Sequence, residues 1–186
     1  VYFWTDGQGV RHYSNIGHPD DLEPDQFRED LNGRLGPGQG QTFTVTKVYD
    51  GDTLLVRGAG LQLKIRLAGI DSPETGPKGT LGQPYAEKAK SKLVRLVKGK
   101  KVRLKSHGLG GFNRVLAEVF DGRTNINLAM IRAGLAEVYR GRKPGSLETG
   151  AYFRAEKIAR KERRGMWAQG ERYKSPKDWR RVHPRK

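Results

Sequence analysis

The stretch "VYDGDTLLVRGAGLQLKIRLAGIDSPET", Val48–Thr75, decides the fold. Between Leu61 and Leu67 apolar and polar residues alternate, with Leu61, Leu63, Ile65 and Leu67 on one side and Gln62, Lys64 and Arg66 on the other. A period of two describes a strand with one face in a core, which turns Arg66 away from that core. Upstream, Leu54–Val56 reads as a second strand, joined to the first through the turn signal Gly58-Ala59-Gly60. Such a hairpin sets the Asp50–Thr53 end of one strand beside the Leu67–Asp71 end of the other. Four carboxylates, Asp50, Asp52, Asp71 and Glu74, then gather around Arg66.

Outward from this hairpin the elements are short. Phe43, Val45 and Val48 open a strand before it. A glycine-rich loop at 76–82 follows Glu74, and Pro84 suits the first position of a helix carrying Ala86, Ala89, Leu93 and Val97 on one face until Gly99. Strands are predicted at Lys101–Lys105 and Val115–Phe120, the latter closing at Asp121-Gly122. Asn125 can cap a helix through Ala133, ended by Gly134. Ser146 is the expected cap of the last helix, with Leu147, Ala151, Ala155 and Ile158 as its apolar stripe. Its other face is Arg154, Lys157, Arg160, Lys161, Arg163 and Arg164, and Met166 and Trp167 are expected to fold back onto the core. These elements predict a mainly β protein with α, a five-stranded barrel of the oligonucleotide-binding type with three helices; a mixed α+β open sheet is the alternative.

The flanks differ from this domain in character. Residues 1–18 read as an N-terminal β-hairpin turning at Gly7-Gln8-Gly9, and 19–40 as an acidic, then glycine-rich linker with one helical turn near Asp25–Leu31. The barrel domain spans 41–170, and 171–186 is a basic tail expected to be irregular. The chain of 186 residues has 36 Lys and Arg against 20 Asp and Glu, a net charge of +16. Residues 1–40 contribute −4 and the remainder +20, so a polyanionic partner belongs to the second part alone. Nucleic acid is the leading candidate and an anionic membrane surface the second. No apolar run reaches the roughly 20 residues a membrane helix needs. Cysteine is absent, which removes disulfides and thiolate metal sites. The chain starts at Val1, from which removal of a leading segment is expected.

The residues of the cluster suggest their chemistry. Hard divalent cations such as calcium or magnesium take oxygen ligands, which Asp52 and Asp71 can supply. Planar guanidinium groups hold phosphate oxygens bidentately; Arg66 is one, and Arg114, after a glycine-rich loop, a second. Glu74 could orient or deprotonate an attacking water. Together these fit metal-assisted hydrolysis of a phosphodiester. Each residue alone has a plainer reading: Asp50-Gly51 as a tight turn, Arg66 and Arg114 as solvated strand residues, the basic helix face as ordinary surface. Their co-occurrence reverses those odds. The four histidines, His12, His18, His107 and His183, make no ligand pattern.

Residues 41–167 resemble the staphylococcal nuclease family. The resemblance is carried by "DGDT" at Asp50–Thr53, "IRLAGIDSPET" at Ile65–Thr75, Arg114 at the head of "RVLAEVF", "NINLAMIRAGLAEVYR" and the closing "RRGMW". It implies a five-stranded barrel with three helices and calcium-dependent cleavage of DNA and RNA. By the same resemblance Asp52, Asp71 and the backbone carbonyl of Ser72 would bind Ca2+, and Glu74 would be the base or orient the water. Arg66 and Arg114 would hold the phosphate, with Asp50 and Thr53 supporting nearby. Phe112, Tyr139 and Arg140 are possible nucleotide contacts. The run before Arg114 departs from the family: Gly110-Gly111-Phe112-Asn113 stands where an aspartate, a tyrosine and a glycine are usual. The first fifteen residues resemble a short domain of unknown function found at the front of exported bacterial proteins. The expectation is therefore a secreted or periplasmic nuclease of low base specificity, with a possible cell-envelope partner through the N-terminal hairpin. The alternative is a barrel of the cell envelope that binds nucleic acid without cutting it.

Overall fold

The computed structural model describes residues 2–5, 11–14, 41–58, 60–76 and 80–184. The expected linker at 19–40, with its helical turn, and the tip of the N-terminal hairpin lie outside these residues. Two short strands, β1 (Tyr2–Thr5) and β2 (Arg11–Ser14), form the antiparallel hairpin, with Tyr2 opposite Ser14 and Thr5 opposite Arg11. Next come β3 (Thr42–Val48), β4 (Thr53–Gly58) and β5 (Leu61–Leu67), joined as an antiparallel meander. After the two-residue β6 (Ile70–Asp71) and helix α1 (Ala86–Val97) come β7 (Lys101–Gly110) and β8 (Arg114–Asp121). β7 pairs with β3 and with β8, and β8 runs parallel to β5, with Ile65 opposite Val115 and Leu67 opposite Ala117. That last pairing closes five strands into a barrel.

The barrel interior follows from the alternation. Leu63, Ile65 and Leu67 of β5 are buried, and Phe43, Val45, Leu54, Val56, Val102, Ala117 and Val119 complete the same core. Each large aliphatic or aromatic side chain removed from water there contributes on the order of 1.5–3 kcal/mol. β8 lines only part of the edge of β5. Where β8 stops, β2 takes over, with Tyr13 opposite Leu61 and Ser14 opposite Gln62 in parallel register. The hairpin therefore continues the barrel sheet of its own chain.

The helical layer packs on one end. In α1 the expected face, Ala86, Ala89, Leu93 and Val97, is buried. The helix begins at Ala86 rather than Pro84, because the chain enters through a turn closed by Ala86 N–H donating to Gln83 O at 3.0 Å. A short β9 (Thr124–Asn125) leads into α2 (Ile126–Arg132), and the Asn125 side chain accepts from the Leu128 amide as the sequence predicts. Inside α2, Asn127 is fully buried. Its Nδ2 donates to Ala68 O (3.0 Å) and Ala117 O (3.1 Å), and its Oδ1 accepts from Val119 N–H (3.0 Å).

The two-residue β10 (Glu137–Val138) pairs with β6, and α3 (Gly150–Lys161) follows. Here the structure corrects the expected stripe. α3 buries Tyr152, Ala155, Glu156 and Ala159, while Ala151 is exposed and Ile158 is 51% exposed. Glu156 is the reason: it accepts from Val138 N–H at 2.9 Å and pairs with Arg140, so a polar residue occupies the inward face. Ser146 does not cap α3; it bonds the His107 ring at 2.8 Å. Met166 and Trp167 are buried in a 3-10 segment, Gly165–Arg172, as expected. The tail is the second correction. Pro176–Val182 is a helix, α4, with Ser175 accepting from the Asp178 amide at its start.

Candidate active site

The register of the β4–β5 hairpin builds the site. Thr53 lies opposite Arg66, so the loop before β4 arrives where Arg66 leaves the outer face of the barrel. That loop is tight. Asp50 Oδ1 accepts from the Asp52 amide at 3.0 Å, and Asp52 O accepts from Leu67 N–H at 2.8 Å. Gly51 has to be glycine because a Cβ there would lie 2.7 Å from both Ala89 Cβ and Ser72 Cβ. The close approach seats Asp52 against the chain leaving β6. Its Oδ2 accepts from the Ser72 amide (2.8 Å) and its Oδ1 from the Thr53 hydroxyl (3.1 Å).

Arg66 joins the two acidic strand ends. Its Nη1 reaches Asp52 Oδ2 at 2.5 Å and its Nη2 reaches Asp71 Oδ1 at 3.0 Å. The side chains are largely out of water, with Arg66 14%, Asp52 8% and Asp71 2% exposed, so their charges act in a medium far less screening than bulk solvent. Burial opposes ionisation of Asp52, yet Arg66 and the Ser72 N–H outweigh it and hold the carboxyl below the usual aspartate range. Burial and the charge of Asp52 push Asp50 up to about 7. Burial also works against the Arg66 charge, but Asp52 and Asp71 raise its pKa further.

Arg114 opens β8 two residues before Leu116, which lies opposite Arg66 in the parallel pair. Side chains two apart on a strand share a face, so both arginines stand on one wall. Burial, and then the neighbouring Arg66 charge, lower the pKa of Arg114. Its Nε donates to Gly111 O at 3.1 Å, and its guanidinium lies 5.6 Å from the Phe112 ring. Phe112 and Asn113 both have positive φ, 60° and 51°, which a glycine would adopt without strain. Phe112 is 93% exposed and no part of the core.

The other expected contacts sit differently. Arg140 pairs with Glu156 and lies 5.2 Å over the Phe153 ring, and Tyr139 is half-buried with its N–H donating to Gly69 O at 2.9 Å. Nor does Arg66 draw in all four carboxylates by direct contact. It touches Asp52 and Asp71; Asp50 serves the turn, and Glu74 is held by a residue outside the expected set.

That residue is Arg180, on α4. Its Nη1 lies 2.5 Å from Glu74 Oε1 and 3.0 Å from Asp71 Oδ1, and its Nη2 lies 2.8 Å from Asp71 Oδ2. Hydrogen bonding to Asp71, opposed by burial, raises its pKa above that of a free arginine. The tail leading to it is stitched down. Buried Gln83 donates to Lys174 O (2.8 Å) and accepts from the Glu74 amide (3.1 Å). Tyr173 Oη donates to Glu137 Oε2 at 2.6 Å, and its ring rests 4.5 Å from that of Trp167. Glu137 is the residue opposite Asp71 in the β10–β6 ribbon. The available signal was the run Ser175-Pro176-Lys177-Asp178, a helix start, in which the proline is an opening residue and no breaker.

The donor set fits a hard divalent cation. Two buried carboxylates are brought within reach of one guanidinium, with no imidazole or thiolate among them. Among the described residues no cluster of three or more His, Cys, Asp or Glu forms, so further oxygens would have to come from backbone, solvent or substrate.

Comparison with known proteins agrees with the barrel. The family described as staphylococcal nuclease homologue matches residues 64–169. A protein of Haemophilus influenzae named an uncharacterized endonuclease is 36% identical over 141 residues, 75% of this chain and 73% of its own. The probable endonuclease LCL3 of Phaeosphaeria nodorum is 35% identical over 113 residues, 58% of this chain and 38% of its own. The protein of that name from Komagataella phaffii is 31% identical over 127 residues, 65% and 55%. The chain spans most of the bacterial relative and between one third and three fifths of these two fungal ones. On the match of more than half its length, the chain belongs to the staphylococcal nuclease homologue family.

Proposed function

We propose that this protein is a calcium-dependent nuclease that hydrolyses phosphodiester bonds of DNA and RNA with little base preference. The observation that carries the reading is the bridge made by Arg66 between buried Asp52 and Asp71, which brings two hard oxygen donors to one point on the outer wall. Asp52, Asp71 and the Ser72 carbonyl would hold the ion. Bound there, it would polarise the phosphate and offset the charge that builds on its oxygens.

The chain's own residues supply the rest. Arg66 and Arg114, on one wall, would grip non-bridging oxygens of the phosphate and stabilise the added charge as the phosphorus becomes five-coordinate. Glu74 would accept the proton of the attacking water as its oxygen bonds to phosphorus and the bond to one sugar oxygen breaks; that oxygen then takes up a proton from solvent. The exposed basic residues of α3, Arg154, Lys157 and Lys161, with Arg163 just past its end, support a polyanionic substrate. Arg160 and Arg164 are less available to it: Arg160 lies 3.8 Å over the Trp167 ring, and Arg164 bonds Arg132 O at 3.0 Å. The resemblance of residues 1–15 to the front of exported bacterial proteins supports a secreted or periplasmic location, with the N-terminal hairpin as the surface for an envelope partner.

One observation favours the alternative, a barrel that binds nucleic acid without cutting it: Arg114 is folded back on its own loop, which Phe112 and Asn113 hold at positive φ. Incubation of plasmid DNA and of RNA with the protein in calcium and in chelator decides between them. Chelator-sensitive cleavage is expected; retention of the nucleic acid without cleavage leaves the binder.

A further inference from the structure

We propose that α4 is an autoinhibitory strap, in which Arg180 acts as a tethered cation that competes with the divalent ion for Asp71 and keeps Glu74 from the attacking water. This inference rests on the calcium-site reading above. Arg180 engages both oxygens of Asp71 and one of Glu74. Asp71 Oδ1 also accepts from Arg66, so two guanidiniums already share the carboxylate. The three bonds leave Asp71 little open acceptor capacity, beside two positive charges, so an ion bound through it competes with one of them.

Arg66 is the poorer candidate to leave. It stands in the middle of the closed sheet, and only 14% of its side chain is exposed. Arg180 is 40% exposed, on a seven-residue helix that buries a single residue, Pro176. The anchor and the strap are separate. Tyr173, Lys174 and Pro176 tie the tail down through Glu137, Gln83 and packing, so the chain up to Pro176 can stay docked while the helix beyond it swings. That anchor also gives the strap a high local concentration: Arg180 returns to Asp71 as an intramolecular partner. A protein whose competent form is only a fraction of the total binds its ligand more weakly by that fraction, and this is how the strap would set the calcium requirement.

Titration of calcium chloride by calorimetry into the full chain, Arg180→Ala and Arg181→Ala tests this. Arg181 has the same charge but is 78% exposed and, among the described residues, pairs with Asp178 at 3.6 Å, so it controls for net charge. The expected result is a Kd about tenfold lower for Arg180→Ala, equivalent to about 1.4 kcal/mol, and unchanged for Arg181→Ala. Trypsin cleavage after Lys177 in the wild type should also quicken as calcium is added, with the midpoint of the calorimetric curve. Equal Kd values in all three proteins, or weaker binding by Arg180→Ala, overturn the strap and leave the calcium site standing. Absence of binding heat in all three overturns the calcium site, and the strap with it.

Discussion

Arg66 and Arg180 reach the same carboxylate from sites more than a hundred residues apart, and they reach it by different means. Arg66 is fixed by sheet register: Thr53 lies opposite it on β4, Leu116 on β8, and its outward direction follows from the alternation of β5. Arg180 is fixed by a cap, a docked tail and a short helix. A pair inside the wall is held by the barrel around it, whereas a pair contributed by a short helix that buries only Pro176 can open alone. The wall thus holds the charges, and the tail decides when they are available.

The largest effect should come from the residue shared by wall and tail. Glu74→Gln is expected to slow cleavage about 10²–10⁴-fold, the range for loss of a general base, while calcium-dependent nucleotide binding stays nearly intact. Steady-state cleavage with calorimetry of a nucleotide diphosphate checks this, and wild-type turnover in the variant removes Glu74 from the chemistry.

Arg66→Ala should expose the wall's dependence on its pair. It leaves Asp52 and Asp71 buried side by side, and removing one partner of such a network costs about 3–5 kcal/mol. Urea denaturation would read this directly; a loss near that of Arg180→Ala erases the distinction between wall and tail.

A second buried wall cluster gives a pH-dependent test. Glu118, 6% exposed, accepts from Tyr152 Oη (3.1 Å) and Asn125 Nδ2 (2.9 Å), and lies 3.1 Å from His107 Nε2 and 3.2 Å from Lys105 Nζ. Burial pushes its carboxyl up, but the bonds from His107, Lys105 and Tyr152 win and hold it below the ordinary value of 4.5. A depressed carboxylate stabilises the fold above its unfolded pKa, and that contribution fades as pH falls through the lower folded value. Glu118→Gln is therefore expected to cost about 1–3 kcal/mol at pH 7, the gap to wild type closing below about pH 4. A gap that persists in acid would assign the loss to packing.

The smallest effect belongs to the tail. Arg180→Ala should lower global stability by less than about 1 kcal/mol, as for other half-exposed ion pairs. Salt sharpens the contrast, because at 1 M the screening length falls to about 3 Å. Trypsin cleavage at α4 should then quicken while the urea midpoint moves little.

The wall was legible in the sequence because register and alternation are local properties. The turn glycines, the period of two in Leu61–Leu67 and the Asp-Gly-Asp-Thr loop together determine which side chains meet Arg66. What stayed illegible depended on partners distant in the chain. Glu156 disguised the buried face of α3, since a charged residue reads as solvent-facing until the Val138 amide and Arg140 supply its bonds. Ser146, a plausible cap, was diverted to His107. Arg180 is one of 36 basic residues, and nothing in its neighbours marks it apart from the helix start at Ser175-Pro176.

Asn127 has a consequence for how the molecule comes apart. Its single amide side chain satisfies Ala68 at the exit of β5 and both Ala117 and Val119 in β8, from a position within α2. Separating the helical layer from the barrel would take the side-chain partner from the Val119 N–H and the Ala68 carbonyl at once. The layers should therefore melt as one cooperative unit, with circular dichroism and tryptophan emission tracing the same curve.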